Sequence, residues 1–147
     1  MVGQSLPETL LRVLHLSCGI EVEPQREFRH GGSFVARGDL WLVGTRMIHE
    51  YDGGEHRKVR RQQQDLRRDR RIIAAGLARR GYVKDDLESR PEEIPRDACT
   101  ELGRPFDLAL LQPWLKLWHE SSYGPLGRLR LAERLAVPER RGGFRQS

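Results

Sequence analysis

The sequence predicts a mixed α/β (α+β) fold in which a small mixed sheet is flanked by helices and followed by a helical C-terminal extension. Residues 34–43 are rich in β-branched and aromatic residues, residues 47–52 resume an extended pattern, and a first strand is expected at 25–29. Helical periodicity precedes them at 5–19 and follows them at 57–80. Beyond residue 102 the apolar spacing is helical again. The order helix, three strands, helix therefore predicts one layer of sheet covered by helices.

The first helix is delimited by residues with known capping roles. Ser5, followed three residues later by Glu8, is typical of a capping box, and Pro7 is tolerated in a first helical turn. Gly19 is a typical residue at the end of a helix. The sequence therefore predicts a helix at 5–19 that covers one face of the sheet.

The segment 37–56 carries acids on two neighbouring strands. Side chains alternate along a strand, so Glu50 and Asp52 point to one side and His49 to the other. Asp39 on the preceding strand can join them, and His56 follows just after the Asp-Gly-Gly turn. Oxygen ligands without thiolates suit Mg²⁺ or Mn²⁺. The alternative is an exposed strand with an ordinary Asp-Gly turn, in which Glu50 pairs with a surface arginine.

A strongly basic helix is predicted at 57–80, which contains ten Lys or Arg and two Asp. The stripe Leu66, Arg70, Ile73 and Leu77 is expected to pack on the sheet, leaving guanidinium groups on the other side. Arginine binds phosphate in a forked geometry, so a polyanion is the expected partner. The alternative is a solvated charged face in which Asp65 and Asp69 pair with nearby arginines.

Together these segments resemble a known family. The motifs are SLPETLLRVL, FVARGDLWL with Asp39, HEYDGGEH with Glu50, DLRRDRR, and DDL followed by RPEEI, within 5–102. They resemble the restriction-endonuclease fold, written PD-(D/E)XK, in the branch related to the very short patch repair (Vsr) endonuclease and to domain of unknown function 559. The resemblance implies an αβββαβ core and a metal-dependent endonuclease that hydrolyses DNA.

The resemblance also implies roles for individual residues. Asp39 and Glu50 would bind the metal together with the backbone carbonyl of Tyr51, and His56 would be a general acid or base. Asp52 stands where the superfamily usually has lysine, so it also belongs to the expected catalytic set. Glu8 could lean toward this site, although capping is favoured. The expected phosphate-binding residues are the basic ones of the helix: Arg57, Lys58, Arg60, Arg61, Arg67, Arg68, Arg70 and Arg71.

Two departures leave alternatives open. The closing strand is expected at 81–87, but it is short and polar, which favours a place at the sheet edge. The missing lysine favours a catalytically inactive nucleic-acid-binding module as the alternative function. A protein-interaction or toxin-antitoxin component, with the C-terminal helices as interface, is a further alternative.

The remaining segments complete the expected organisation. A nuclease domain at 5–102 would include a last helix at 90–103, entered through Pro91 and ended by Gly103. A helical extension would follow at 103–137 and a disordered tail at 138–147.

Composition bounds the remaining possibilities. The chain has 147 residues and a net charge of +5, with 37% hydrophobic and 32% charged residues, which predicts a modest core. Cys18 and Cys99 lack the spacing of a zinc site or a disulfide framework and are expected to be reduced. No apolar stretch could span a bilayer, so a cytoplasmic protein with no membrane partner is expected.

Overall fold

The computed structural model describes residues 5–53 and 59–120, with side chains from residue 63 onward in the second range. The elements in chain order are α1 (Leu6–Ser17), β1 (Val22–His30), β2 (Ser33–Leu42), β3 (Met47–Tyr51), α2 (Val59–Ala74), β4 (Ala78–Tyr82), α3 (Lys84–Ser89), α4 (Glu93–Leu102), a short 3-10 turn (Leu108–Leu111) and α5 (Gln112–Glu120). The described residues thus form an α+β fold with a four-stranded mixed sheet, which confirms the predicted fold class.

The sheet has the order β1-β2-β3-β4. β1 pairs with β2 and β2 with β3 in antiparallel fashion, whereas β3 and β4 run parallel. A parallel pair needs a crossover connection, and α2 lies within it. Neighbouring residues of β3 point to opposite faces, so His49 contacts α1 while Glu50 contacts α2. The two helices therefore cover opposite faces of the sheet.

The predicted capping box begins α1. Ser5 Oγ accepts the backbone N–H of Glu8 at 3.2 Å, and Glu8 Oε1 accepts the N–H of Ser5 at 3.3 Å. Further along the helix, Leu11 and Leu14 are fully buried against the sheet. These contacts satisfy the first donors of α1 and fix its start.

The helices after β4 belong to the same core as the sheet. Gly103, at a φ of 73°, ends α4 in the left-handed conformation, as its place in the sequence predicts. Trp114 and Trp118 of α5 are buried, and their rings stack at 5.5 Å in the cluster that contains Leu11 and Leu14. The described part of the predicted extension, residues 103–120, therefore packs on α1. The later helix and tail predicted beyond residue 120 lie outside the described residues.

The closing strand differs from its prediction. β4 spans Ala78–Tyr82, and residues 84–87 of the predicted strand belong to α3 instead. Gly76, at a φ of 78°, follows α2, and Ala78 then pairs with Met47 in the parallel register. The strand tolerates two arginines because carboxylates lie beside both: Arg79 contacts Glu50 and Arg80 contacts Asp97. As expected, this strand lies at the sheet edge.

Cys18 and Cys99 are both buried, and neither forms a disulfide bond within the described part of the chain. None of the helices in the described ranges combines the length and the apolarity that crossing a membrane requires.

Two histidines join α1 to β3 inside the core. His15 Nδ1 donates to the carbonyl oxygen of Leu11 at 2.8 Å, so its Nε2 accepts from His49 Nδ1, also at 2.8 Å. Burial lowers the pKa of His15 to about 4 and that of His49 to about 2, and the neighbouring His15 adds to the second shift. Both rings are therefore neutral in the folded protein near neutral pH.

The free energy of unfolding is expected to fall as the pH falls from about 6.5 toward 4. Both folded-state pKa values lie below the ordinary 6.5, so the unfolded chain takes up protons in this range and the folded chain does not. Each histidine contributes a slope of about 1.4 kcal/mol per pH unit. Asp39 has the opposite effect between about pH 6 and pH 4. Burial raises its folded-state pKa to about 6, so the folded chain takes up this proton first and gains stability as the pH falls.

Urea unfolding between about pH 7 and pH 5 measures this slope. A His15→Gln, His49→Gln double variant should flatten or reverse it, whatever its absolute stability. An unchanged slope in that variant would show that other groups control the acid response.

Candidate active site

A cleft of about 330 Å³ lies where β2, β3 and β4 meet α2 and the start of α1. Six carboxylates and three guanidinium groups line it, together with Tyr51: Glu8, Asp39, Glu50, Asp52, Asp65 and Asp69, with Arg37, Arg68 and Arg79. Three of the four residues predicted for the catalytic site therefore share one cleft. The fourth, His56, lies outside the described residues.

Asp39 is held in place at the antiparallel pairing of β2 with β3. Its Oδ2 accepts the backbone N–H of Tyr51 at 3.0 Å. Burial raises the pKa of Asp39 to about 6, and the nearby negative charges of Glu50 and Glu8 add to the shift although the Tyr51 N–H opposes it. This carboxylate is therefore under-compensated by positive charge, and a proton or a cation would stabilise it.

Glu50, unlike Asp39, is paired with positive charge on both of its oxygens. It is only 6% exposed, yet Arg68 spans both of its oxygens, with Nη1 donating to Oε1 at 3.0 Å and Nη2 to Oε2. Arg79 Nε donates to Oε1 at 2.7 Å. Burial alone would raise the pKa of Glu50, but the two arginines outweigh it and lower the pKa below its ordinary range. Glu50 is therefore ionised at neutral pH.

Asp52 follows β3 and continues its pairing with β4. Its backbone N–H donates to the carbonyl oxygen of Tyr82 at 2.6 Å, and its Oδ2 lies 3.8 Å from Arg79 Nη2. Arg79 therefore contacts both Glu50 of β3 and Asp52 just after it. This places a positive charge from β4 beside the position where the resemblance implies a lysine.

The predicted packing stripe of α2 is wrong for Leu66, Arg70 and Ile73, which are all exposed. Leu66 is 57% and Ile73 70% exposed, whereas Ile72 is buried and Asp65, Arg68 and Asp69 face the cleft. This orientation lets Arg68 pair with the buried carboxylate of Glu50, which would be costly to bury without a cation beside it. Arg68 is therefore an inward residue of the candidate site.

Arginines of α2 also satisfy backbone groups of β2. In the described residues, β3 pairs with β2 only at Leu40 and Trp41, which leaves earlier β2 carbonyls without a strand partner. Arg71 Nε donates to Val35 O at 3.0 Å, and Arg68 Nη2 to Arg37 O at 2.9 Å. These bonds protect an otherwise open strand edge.

The predicted phosphate-binding residues therefore divide into three groups. Arg68 and Arg71 are engaged by the protein itself, whereas Arg67 and Arg70 are exposed and make no ion pair with the described part of the chain. Arg57 and Lys58 lie outside the described residues, and only the backbone of Arg60 and Arg61 is described.

Sequence reasoning missed Arg79 and did not place Asp65 and Asp69 in the cleft. Arg79 is 29 residues from Glu50, and only the parallel pairing of β4 with β3 brings the two together. The sequence signal for Arg79 was its place beside Arg80 in the short strand β4, because a charged residue in a strand usually requires a partner of opposite charge. The Glu8 carboxylate both caps α1 and lines the cleft, so both of its interpretations apply.

Within residues 5–53 and the described part of 59–120, no three Asp, Glu, His or Cys side chains form a ready group of metal ligands. The acids that line the cleft nevertheless supply only oxygen donors, which fits a hard divalent cation. No family model, no curated protein and no solved structure matches this chain.

Proposed function

We propose that the protein is a metal-dependent endonuclease that hydrolyses phosphodiester bonds of DNA. The observation that carries the proposal is the cleft in which Asp39 and Glu50, from adjacent strands, lie beside Arg68 and Arg79. The order of elements supports it, because a helix, three strands, a crossover helix and a fourth, parallel strand are the arrangement expected of a restriction-endonuclease-like core.

The charge of the cleft favours a bound cation. Six carboxylates against three guanidinium groups would repel a phosphodiester. A divalent cation, Mg²⁺ or Mn²⁺, would offset part of that negative charge, and the raised pKa of Asp39 indicates where positive charge is most needed. Asp39, Glu50 and the carbonyl oxygen of Tyr51 would hold it. When bound, such an ion activates water and neutralises charge on the phosphate.

The protein's own residues have distinct tasks in this proposal. Asp39 would exchange a proton for the cation near neutral pH. Arg68 and Arg79 fix the orientation of Glu50 and supply positive charge that Asp52 does not provide. His56, four residues after Asp52 in the sequence, would move the proton of the attacking water or the leaving oxygen.

A second candidate is a catalytically inactive module that binds nucleic acid. It is favoured by the engagement of both Glu50 oxygens by arginines and by Asp52 at the position of the usual lysine. Such a module would bind DNA through its basic residues, with an affinity that falls as the salt concentration rises, but would not cut it.

The proposal is tested by incubating supercoiled plasmid and a labelled single strand with the purified protein and Mg²⁺ or Mn²⁺. We expect cutting that EDTA stops and that Glu50→Gln slows at least about 100-fold, because loss of charge at Glu50 weakens the electrostatics of the site. Glu101→Gln is the matched control, since Glu101 is exposed on α4. Cutting that persists in EDTA, or that is equal in the two variants, would contradict the proposed site. Salt-dependent binding without cutting would favour the inactive module.

A further inference from the structure

The turn between β1 and β2 carries a surface that the candidate site does not use. Residues 29–34, here called the hairpin tip, are exposed at every position. The tip contains Arg29 and His30 and no acid, and Phe34 is 47% exposed. Gly31 and Gly32 both have positive φ, at 57° and 83°, so the connection is a tight turn that keeps the ribbon narrow.

The hairpin tip is continuous with the cleft. Arg37 and Asp39 line the cleft, and β2 runs from them back to Phe34. In the described residues β3 reaches β2 only at Leu40 and Trp41, so beyond the cleft the ribbon has no third strand. A polyanion lying in the cleft would therefore continue along the hairpin.

Charge near the hairpin tip favours a polyanion as well, because residues 27–37 carry two arginines and one acid. Arg29 and Arg37 share one acid, Glu27, at the loose distances of 3.6 and 3.9 Å. Their side chains are 57% and 43% exposed, so both can turn toward a phosphate at small cost.

The aromatic side chains indicate a duplex and not a single strand. Proteins that hold single strands stack successive bases on free aromatic rings. Here Arg26 already covers Trp41 at 4.3 Å and Phe28 at 5.6 Å, which leaves Phe34 as the exposed ring of the hairpin among the described residues. A narrow two-stranded ribbon instead matches the width of the major groove.

We propose that the hairpin tip enters the major groove of double-stranded nucleic acid, with Arg29 on the phosphate backbone and Phe34 against the groove edge. This inference rests on the proposed function for the position of the cut strand. Five residues separate Asp39 from Phe34, which is about 17 Å of strand. The tip therefore lies about five base pairs from the phosphate that is cut.

The test compares an Arg29→Ala, Phe34→Ala double variant with a Lys116→Ala, Leu117→Ala double variant of α5. Each pair removes one exposed basic and one exposed apolar side chain. Dissociation constants are measured with Ca²⁺ in place of Mg²⁺ on a long duplex, on duplexes shortened from one end and on a single strand, and thermal unfolding checks the fold of each variant.

On the long duplex we expect the tip variant to bind about tenfold more weakly than wild type, with a salt slope reduced by about one, and the control variant to bind as wild type does. The loss should vanish on duplexes with fewer than about five base pairs on the tip side, because the tip then has no groove to enter. Equal losses on duplex and single strand, or no loss at all, would overturn the proposal.

The tip assignment and the nuclease can fail separately. Tip-dependent duplex binding by a protein that never cuts would overturn the nuclease and leave the tip assignment in place. Metal-dependent cutting by a tip variant with wild-type affinity would overturn the tip assignment and leave the nuclease in place.

Discussion

Asp39→Asn is expected to lower the rate of DNA cutting about 1,000-fold or more and, at the same time, to raise the free energy of unfolding. Asparagine keeps an oxygen for the Tyr51 N–H but carries no charge. The loss of activity follows because a neutral amide cannot replace a carboxylate as a cation ligand. The gain in stability follows because burial raises the pKa of Asp39 to about 6, so its ionisation at higher pH opposes folding in the wild-type protein.

The pH dependence separates this gain from an ordinary packing effect. The folded-state pKa of Asp39 lies above the ordinary 3.8, so ionisation weakens the fold progressively from about pH 4 to about pH 6. Asp39 is partly open to solvent, and we expect a gain of about 1–2 kcal/mol at pH 7.5 that shrinks toward zero near pH 4. Urea unfolding at the two pH values measures it. A variant that is less stable at pH 7.5 would contradict the raised pKa.

Arg68→Ala is expected to lower the free energy of unfolding by about 3 kcal/mol at neutral pH. The change removes the guanidinium that spans both oxygens of buried Glu50 and the bond to Arg37 O, and leaves only Arg79 on that carboxylate. With one arginine gone, burial should raise the pKa of Glu50. The destabilisation should therefore be smaller near pH 4.5, where Glu50 can take up a proton.

Arg67→Ala is the matched control, because Arg67 is the exposed neighbour on the same helix and the cost there should stay below about 0.5 kcal/mol. A double-mutant cycle of Arg68→Ala with Glu50→Gln, followed by urea unfolding, should give a coupling energy of about 2 kcal/mol. Equal costs for the two arginine variants, or no coupling, would mean that Arg68 does not hold Glu50.

Local patterns in the sequence determined much of the fold. Alternating extended segments predicted three strands, and the capping box of Ser5 and Glu8 predicted the start of α1. Because side chains alternate along a strand, the sequence also placed Glu50 on one face of β3 and His49 on the other. The proximity of Asp39 to Glu50 followed from the antiparallel pairing of neighbouring strands.

The tertiary structure decided which face of α2 turns inward and which distant cations reach the site. Nearly every turn of that helix carries arginine, so its periodicity could not reveal that Arg68 and Ile72 are the inward residues while Leu66 is exposed. That orientation depends on Glu50, a buried carboxylate on β3 that is far from α2 in sequence and pairs with Arg68 only in the folded protein. The arrival of Arg79 depends equally on the parallel register of β4 with β3. Local propensity determines where helices and strands form. The cations that pair with a buried carboxylate are brought to it only by the folding of the chain.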